Sequence, residues 1–282
     1  MEKPMSIRSV HIIMIGFVFV LFSVFVPKTQ AETMKIAVAS SGQTKDTAIS
    51  PQDEKAAQAL DGNEILRQID RNMQPESYEM YRKLINIEPD GRKKEFVLYT
   101  VKKGQDRMVA LFLSPASEKG RATLRLGDNM WLYIPNVGKP LRITSLQSVV
   151  GGIFNNSDIL RLDYHVEYDA EKITEQEESY LLELKAKSAA VAYDRLKMQV
   201  DKKSLLPTTI ECYAISGMLI KTLRYAKTED FGDGLIRPSV LETDSPLNKG
   251  YRSVMIFAKV RKKELADEVF TLNYLSKVHE LR

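Results

Sequence analysis

Hydrophobic and polar positions change their spacing several times along the 282-residue chain, and each change marks a different element. Residues 12–26 are apolar except for Gly16 and Ser23, and residues 32–60 carry no sustained period. Asp61 followed by Glu64 has the form of a capping box. Ile65, Ile69 and Met73 then recur at helical spacing, which predicts an amphipathic helix over 62–73, ended before Pro75. From Ser77 the period falls to two, with Tyr78, Met80 and Leu84 on one face and Tyr81, Ile85 and Ile87 on the other. Turn residues such as Asp90-Gly91 and Gly104 divide the next fifty residues into strands at 94–103, 107–113, 121–127, 129–134 and 140–144. Segment 145–163 interrupts this meander. Gly151-Gly152 and Asn155-Asn156 are loop formers there, and Ser157 or Asp158 is placed to cap a short helix running through Leu162. Strands resume at 164–176, 178–187, 193–201, 207–215, 217–226 and 250–261, and 265–275 reads as a short helix or a docking strand.

The two halves of the expected sheet differ. Late strands alternate: Leu196, Met198 and Val200 against Arg195, Lys197 and Gln199, which describes a sheet with one wet face. Early strands are apolar on both faces, as in Phe96-Val97-Leu98-Tyr99 and Met130-Trp131-Leu132-Tyr133-Ile134. With few helices available as cover, the pattern points to a strongly curved antiparallel sheet whose concave side holds a helix and an apolar interior. Periodicity alone fits either a ligand cavity or a filled core.

Composition narrows the class. The net charge of +4 is close to balance and suggests no nucleic-acid surface, and a charged fraction of 28% beside 44% hydrophobic residues is that of a folded globular protein. The basic head, short apolar run and small-residue exit of Thr29-Gln30-Ala31 form a signal-peptide pattern, cleaved after residue 31. The alternative is a membrane anchor, for which fifteen residues fall short of the ~20 a spanning helix needs. We therefore expect a signal peptide at 1–31, a flexible leader at 32–60 and a single domain at 61–282. No cysteine follows the cleavage position, so the expected product is periplasmic, soluble and not itself lipidated. Cys212 is the one cysteine and alternates with Ile210 and Ala214, as a small core residue does.

Catalytic patterns are missing from the sequence. His165 and His279 stand far apart, neither lies in a metal-ligand spacing, and there is no GxSxG, Cys-His pair or phosphate loop. Asp158 and Asp163 flank the interrupting segment, where capping and local hydrogen bonds account for them. The expectation is a protein with no catalytic residues, no metal and no cofactor.

Four passages resemble the LolA-like outer-membrane lipoprotein-sorting proteins, in particular the exporter-associated branch. They are Glu64-Ile65-Leu66 to Pro75-Glu76-Ser77-Tyr78, then Met130-Trp131-Leu132-Tyr133-Ile134-Pro135 with Lys139-Pro140-Leu141-Arg142-Ile143, then Asn156-Ser157-Asp158-Ile159-Leu160-Arg161-Leu162-Asp163-Tyr164, and finally Leu206-Pro207 with Phe270. Asn156 stands where many members have Gly. The resemblance implies a mainly β fold: an unclosed β-barrel with a few covering helices, holding acyl chains of lipoproteins or other lipid. It further implies a monomeric carrier, partnered by an inner-membrane ABC-type exporter and an outer-membrane acceptor. Phe96, Leu98, Leu111, Leu113, Trp131 and Tyr133 are the candidate cavity residues, although a one-residue slip would reverse which parity faces inward. Phe154, Ser157, Asp158 and Asp163 are candidates for a lid. A lipid-sensing regulator of envelope stress is the alternative role, and an enzyme acting on a lipid through Asp158 or Asp163 is a third.

Overall fold

The computed structural model describes residues 61–282, which belong to one compact unit; the expected signal peptide and leader lie outside the described residues. The helix expected first is present as α1 (Gly62–Met73), and it buries Ile65, Leu66, Ile69 and Met73. Burial of each such side chain contributes about 1.5–3 kcal/mol, which fixes the helix on the sheet. Asp61 caps it by accepting from the Asn63 amide at 2.9 Å. The expected capping box does not form, because Glu64 turns outward to Arg67 and Arg71 at 2.8 and 3.0 Å. Gly62 is required by close approach: a β-carbon there would stand 2.8 Å from the Ala170 side chain.

Thirteen strands make up the rest of the fold. The first six are β1 (Ser77–Ile87), β2 (Lys93–Lys103), β3 (Arg107–Ser114), β4 (Ala122–Leu126), β5 (Asn129–Tyr133) and β6 (Leu141–Ile143). Two single-turn helices, α2 (Asn156–Ile159) and α3 (Tyr164–Glu167), come next. The second series is β7 (Tyr168–Glu175), β8 (Ser179–Ala186), β9 (Arg195–Asp201), β10 (Pro207–Tyr213), β11 (Leu219–Asp230), β12 (Ile236–Asp244) and β13 (Arg252–Lys262). Strand β12 was not expected, and a helical turn replaces the start of the strand expected from 164.

All strands join one sheet in the order β6-β5-β4-β3-β2-β1-β13-β12-β11-β10-β9-β8-β7, and every neighbouring pair is antiparallel. The first strand therefore pairs with the last at the centre of the sheet. The consecutive strands β6 and β7 occupy opposite edges without pairing, so the barrel is unclosed. Residues from β5 (Met130) and from β8 (Leu182, Leu184) enter the same buried cluster as α1, so the sheet curls around that helix. Segment 144–167 crosses this concave side from one edge to the other.

The two-sided apolar pattern of the early strands now has a physical cause. Their inner residues meet α1 and the crossing segment. Their outer residues Tyr99, Val101, Val109, Leu111 and Leu124 form a second core with Leu265, Val269, Phe270, Leu275 and Val278. These last five come from the C-terminal tail, where two 3₁₀ segments at Asp267–Phe270 and Leu272–Leu281 dock on the convex face. The later strands lack this cover, and there the outer positions are the charged ones, as in β9.

Candidate functional site

The concave interior collects the chemistry. Phe96 and Leu98 face it, and Phe96 packs edge-on against Phe112 with ring centroids 6.3 Å apart. Leu111, Leu113, Trp131 and Tyr133 do not join them. They belong to the outer core beneath the C-terminal tail, so the expectation that all six share one interior is corrected. The reason is parity: strands pleat with period two, and these four sit on the opposite face from Met108, Ala110, Phe112 and Met130. The inner face is instead rich in methionine: Met73, Met80, Met108, Met130, Met198 and Met255. Unbranched thioether side chains repack at low cost.

The segment candidates all lie in the strap that crosses the concave side. Phe154 is fully buried, and Asn155 caps α2 in a reciprocal capping box with Asp158. Asp158 accepts from Lys221 Nζ at 2.8 Å, from Tyr193 Oη at 2.9 Å and from the Asn155 amide at 2.9 Å. Ser157 Oγ donates to Asn155 Oδ1 at 2.8 Å. Asp163 accepts from Lys102 Nζ at 2.7 Å and from Gln74 Nε2 at 2.8 Å. A helix of one turn leaves its last carbonyls unpaired, and here buried cations take two of them: Arg82 donates to Ile159 O at 2.8 Å and Arg125 to Leu160 O at 3.0 Å. Ahead of the helix, Lys221 donates to Ile153 O at 2.5 Å. Within the strap, a β-carbon on Gly152 would fall 2.1 Å from Asn86 Oδ1, so any other residue there would displace the Asn86 side chain.

Three arginines that sequence reasoning did not single out converge on the interior. Arg82 of β1, Arg161 of the strap and Arg237 of β12 line one cavity with Tyr78, Tyr225 and the apolar Met80 and Met108. Arg82 donates to Thr100 Oγ1 at 2.5 Å, Arg161 donates to the phenols of Tyr164 and Tyr225, and Arg237 donates to Met73 O at 2.5 Å. Arg237 also stacks over Phe257, 4.5 Å from its centroid. None of the three forms an ion pair among the described residues. By contrast, Lys102, Lys221 and Arg125 pair with Asp163, Asp158 and Glu167. Burial draws both Arg82 and Arg237 down to about 10, and it pushes the Tyr78 phenol up to about 12. At neutral pH the cavity therefore contains three guanidinium charges and a neutral phenol.

The cavity is small, about 20 Å³, room for little more than a single water between the side chains. Asp158, Arg161 and Leu223 also line a second space of about 20 Å³, walled by Tyr168, Tyr193, Leu196, Ile210 and Cys212. Burial pushes the Cys212 thiol well up, so it serves as wall and not as nucleophile. Val191 and Ala192 line both that space and a surface groove of about 530 Å³, whose other residues include Leu146 and Ile215 beside Lys185, Lys187 and Asp194. The arrangement thus places three cations beside small apolar spaces in the interior. Among the described residues no cluster of His, Cys, Asp and Glu is positioned to hold a metal, and no helix is long and apolar enough to cross a membrane.

The family model that matches residues 104–277 is described as that of an uncharacterized protein. The chain belongs to this family, DUF1329. Its fold is LolA-like, as three solved structures agree. A LolA superfamily protein from Nitrosomonas europaea is 26% identical, with TM-score 0.70, covering 77% of this chain and 100% of that one. A domain from Vibrio parahaemolyticus described as an outer-membrane lipoprotein-sorting protein is 18% identical, with TM-score 0.67, covering 76% and 98%. A DUF1329 family protein from Desulfovibrio piger is 22% identical, with TM-score 0.67, covering 76% and 97%. No curated protein matches the sequence.

Proposed function

We propose that this DUF1329 protein is a non-catalytic periplasmic carrier that holds acyl chains of lipoproteins or other lipid in its concave interior and delivers them toward the outer membrane. The observation that carries the reading is the methionine-rich concave interior, whose two small spaces and the surface groove share wall residues in sequence. Transfer of each methylene from water into such a lining is worth about 0.8 kcal/mol, so chain length alone supplies affinity. The narrowness of the unfilled interior is met by methionines that move aside, and by a strap held at three carbonyls by long cationic side chains. An inner-membrane ABC-type exporter as donor and an outer-membrane acceptor complete the reading, which the signal-peptide pattern and the LolA-like relatives support.

Native mass spectrometry of the protein isolated from its own periplasm is expected to show a bound lipid or lipopeptide, and the emptied protein is expected to take up a fluorescent fatty acid. A ligand-free spectrum together with no uptake would overturn the proposal. Co-isolation of a signalling protein in place of lipid would favour the regulator.

A further inference from the structure

We infer that Arg82, Arg161 and Arg237 form an oxyanion site at the inner end of the cavity, which binds the carboxylate or phosphate head of an anionic amphiphile whose apolar tail runs outward past Tyr193 and Ala192 to the surface groove. This deepens the carrier reading and rests on it for the tail but not for the anion.

Charge and unfilled hydrogen-bonding capacity both point to an anion. A buried cation without a partner costs several kcal/mol, and proteins ordinarily pair it. This interior follows that rule at Lys102, Lys221 and Arg125, each of which faces a carboxylate. It departs from the rule at three guanidiniums lining a single cavity. Arg82 and Arg237 are 3% and 1% exposed, yet Arg82 Nε and Arg237 Nη2 have no partner at all. The one carboxylate on the same cavity, Asp158, is already engaged by Lys221, Tyr193 and the Asn155 amide and pairs with none of the three arginines. A guanidinium presents donors in a planar fork that fits carboxylate and phosphate oxygens, and the neighbouring Tyr78 and Tyr225 bring no competing anion. An entering oxyanion would supply the missing acceptor and offset mutual repulsion among the three charges. A neutral or cationic head would leave both deficits in place.

The tail path is set by shared walls. Asp158, Arg161 and Leu223 border both inner spaces, and Val191 and Ala192 border both the second space and the groove. These shared walls mark the route assigned to the tail, which opens as the side chains between the spaces move aside.

The test compares a fluorescent long-chain fatty acid with its methyl ester, and uses inorganic phosphate as the chain-free anion, on the wild-type protein and on Arg82→Gln and Arg237→Gln. The acid is expected to bind wild type about tenfold or more tighter than the ester, the factor set by hydrogen bonds to a charged partner. Each variant is expected to lose that preference, its acid-to-ester affinity ratio falling to about one, with melting used to check that it folds, since Arg82 also holds Ile159 O and Arg237 holds Met73 O. Equal binding of acid and ester by wild type would overturn the oxyanion site and leave the carrier reading standing, and this arm needs no variant to fold. Phosphate raising the melting temperature of wild type but of neither variant, with no uptake of acid or ester, would uphold the site and sink the carrier. If phosphate and both amphiphiles fail to bind, both ideas fall.

Discussion

Lys221 Nζ lies 2.8 Å from Asp158 Oδ2, and both side chains are 4% exposed, so the pair ties the strap across the concave side to β11. The carboxylate accepts three hydrogen bonds, from Lys221, Tyr193 and the Asn155 amide, which makes it a fastening of the strap. Asp158→Ala should leave Lys221 charged, buried and uncompensated, and should cost about 3–5 kcal/mol of stability. The double variant Asp158→Leu with Lys221→Met should recover most of that loss. Urea unfolding of the four members of the cycle checks it, and additive losses would show that the pair is not coupled.

The convex core makes the C-terminal tail a structural cover. Ending the chain at residue 264 removes Leu265, Val269, Phe270, Leu275 and Val278, and it uncovers Val101, Val109, Leu111 and Leu124. Trp131, the sole tryptophan, packs against this core and reports on it. Its emission should move to longer wavelength, and the shortened protein should bind an apolar dye and lose solubility. Unchanged emission would mean that the tail is not docked in solution.

Acid should release the tail before it unfolds the sheet. Burial raises the Glu79 carboxyl, but hydrogen bonds from Lys263, Tyr99 and Arg261 outweigh it and hold the group below its ordinary value of 4.5. Lys263 also donates to Leu281 O at 3.0 Å, so Glu79 orients a tether of the tail. Because the folded value is depressed, the stabilisation is fully present above the unfolded value and is lost as pH falls through the folded one. Asp267, held low by Lys103 and Arg107, acts in the same direction. Titration of Trp131 emission should show a step below pH 4.5 that shrinks in Glu79→Gln, whereas an identical step in both proteins would remove Glu79 from the account.

Much of this architecture was legible because strands with one wet face write their register into the sequence. Leu196, Met198 and Val200 alternate with charged and polar residues, and β9 is built on that alternation. Strand β12 was not legible. Arg237, Pro238, Ser239, Val240 and Leu241 are buried in succession, so alternation is lost, and the polar members are satisfied by remote groups. Arg237 reaches Met73 O, and Ser239 reaches Lys227 O at 2.7 Å. The inner parity of the early strands was also hidden, since both faces are apolar and only the docked tail distinguishes them. One clue to the arginine cavity was present: Arg82 occupies the inner parity of β1, between Met80 and Leu84, where a charge is out of place. Arg161 lies in an aperiodic segment and gave no such signal.

The doorway of the interior offers a direct test of the proposed tail path. Ala192 is 8% exposed and lines both the second inner space and the surface groove, so the proposed tail path runs past its methyl group. Ala192→Trp should fill it and slow uptake of a fluorescent fatty acid, at an overpacking cost of about 1–3 kcal/mol. Ile215, 87% exposed on the groove rim, offers a companion without that cost. Ile215→Asp places a charge where an apolar tail would leave the protein, so affinity for long chains should fall while chains too short to reach the rim bind as before. Stopped-flow uptake and a chain-length series separate the two effects. Wild-type behaviour in both variants would mean that the ligand reaches the arginines by another route.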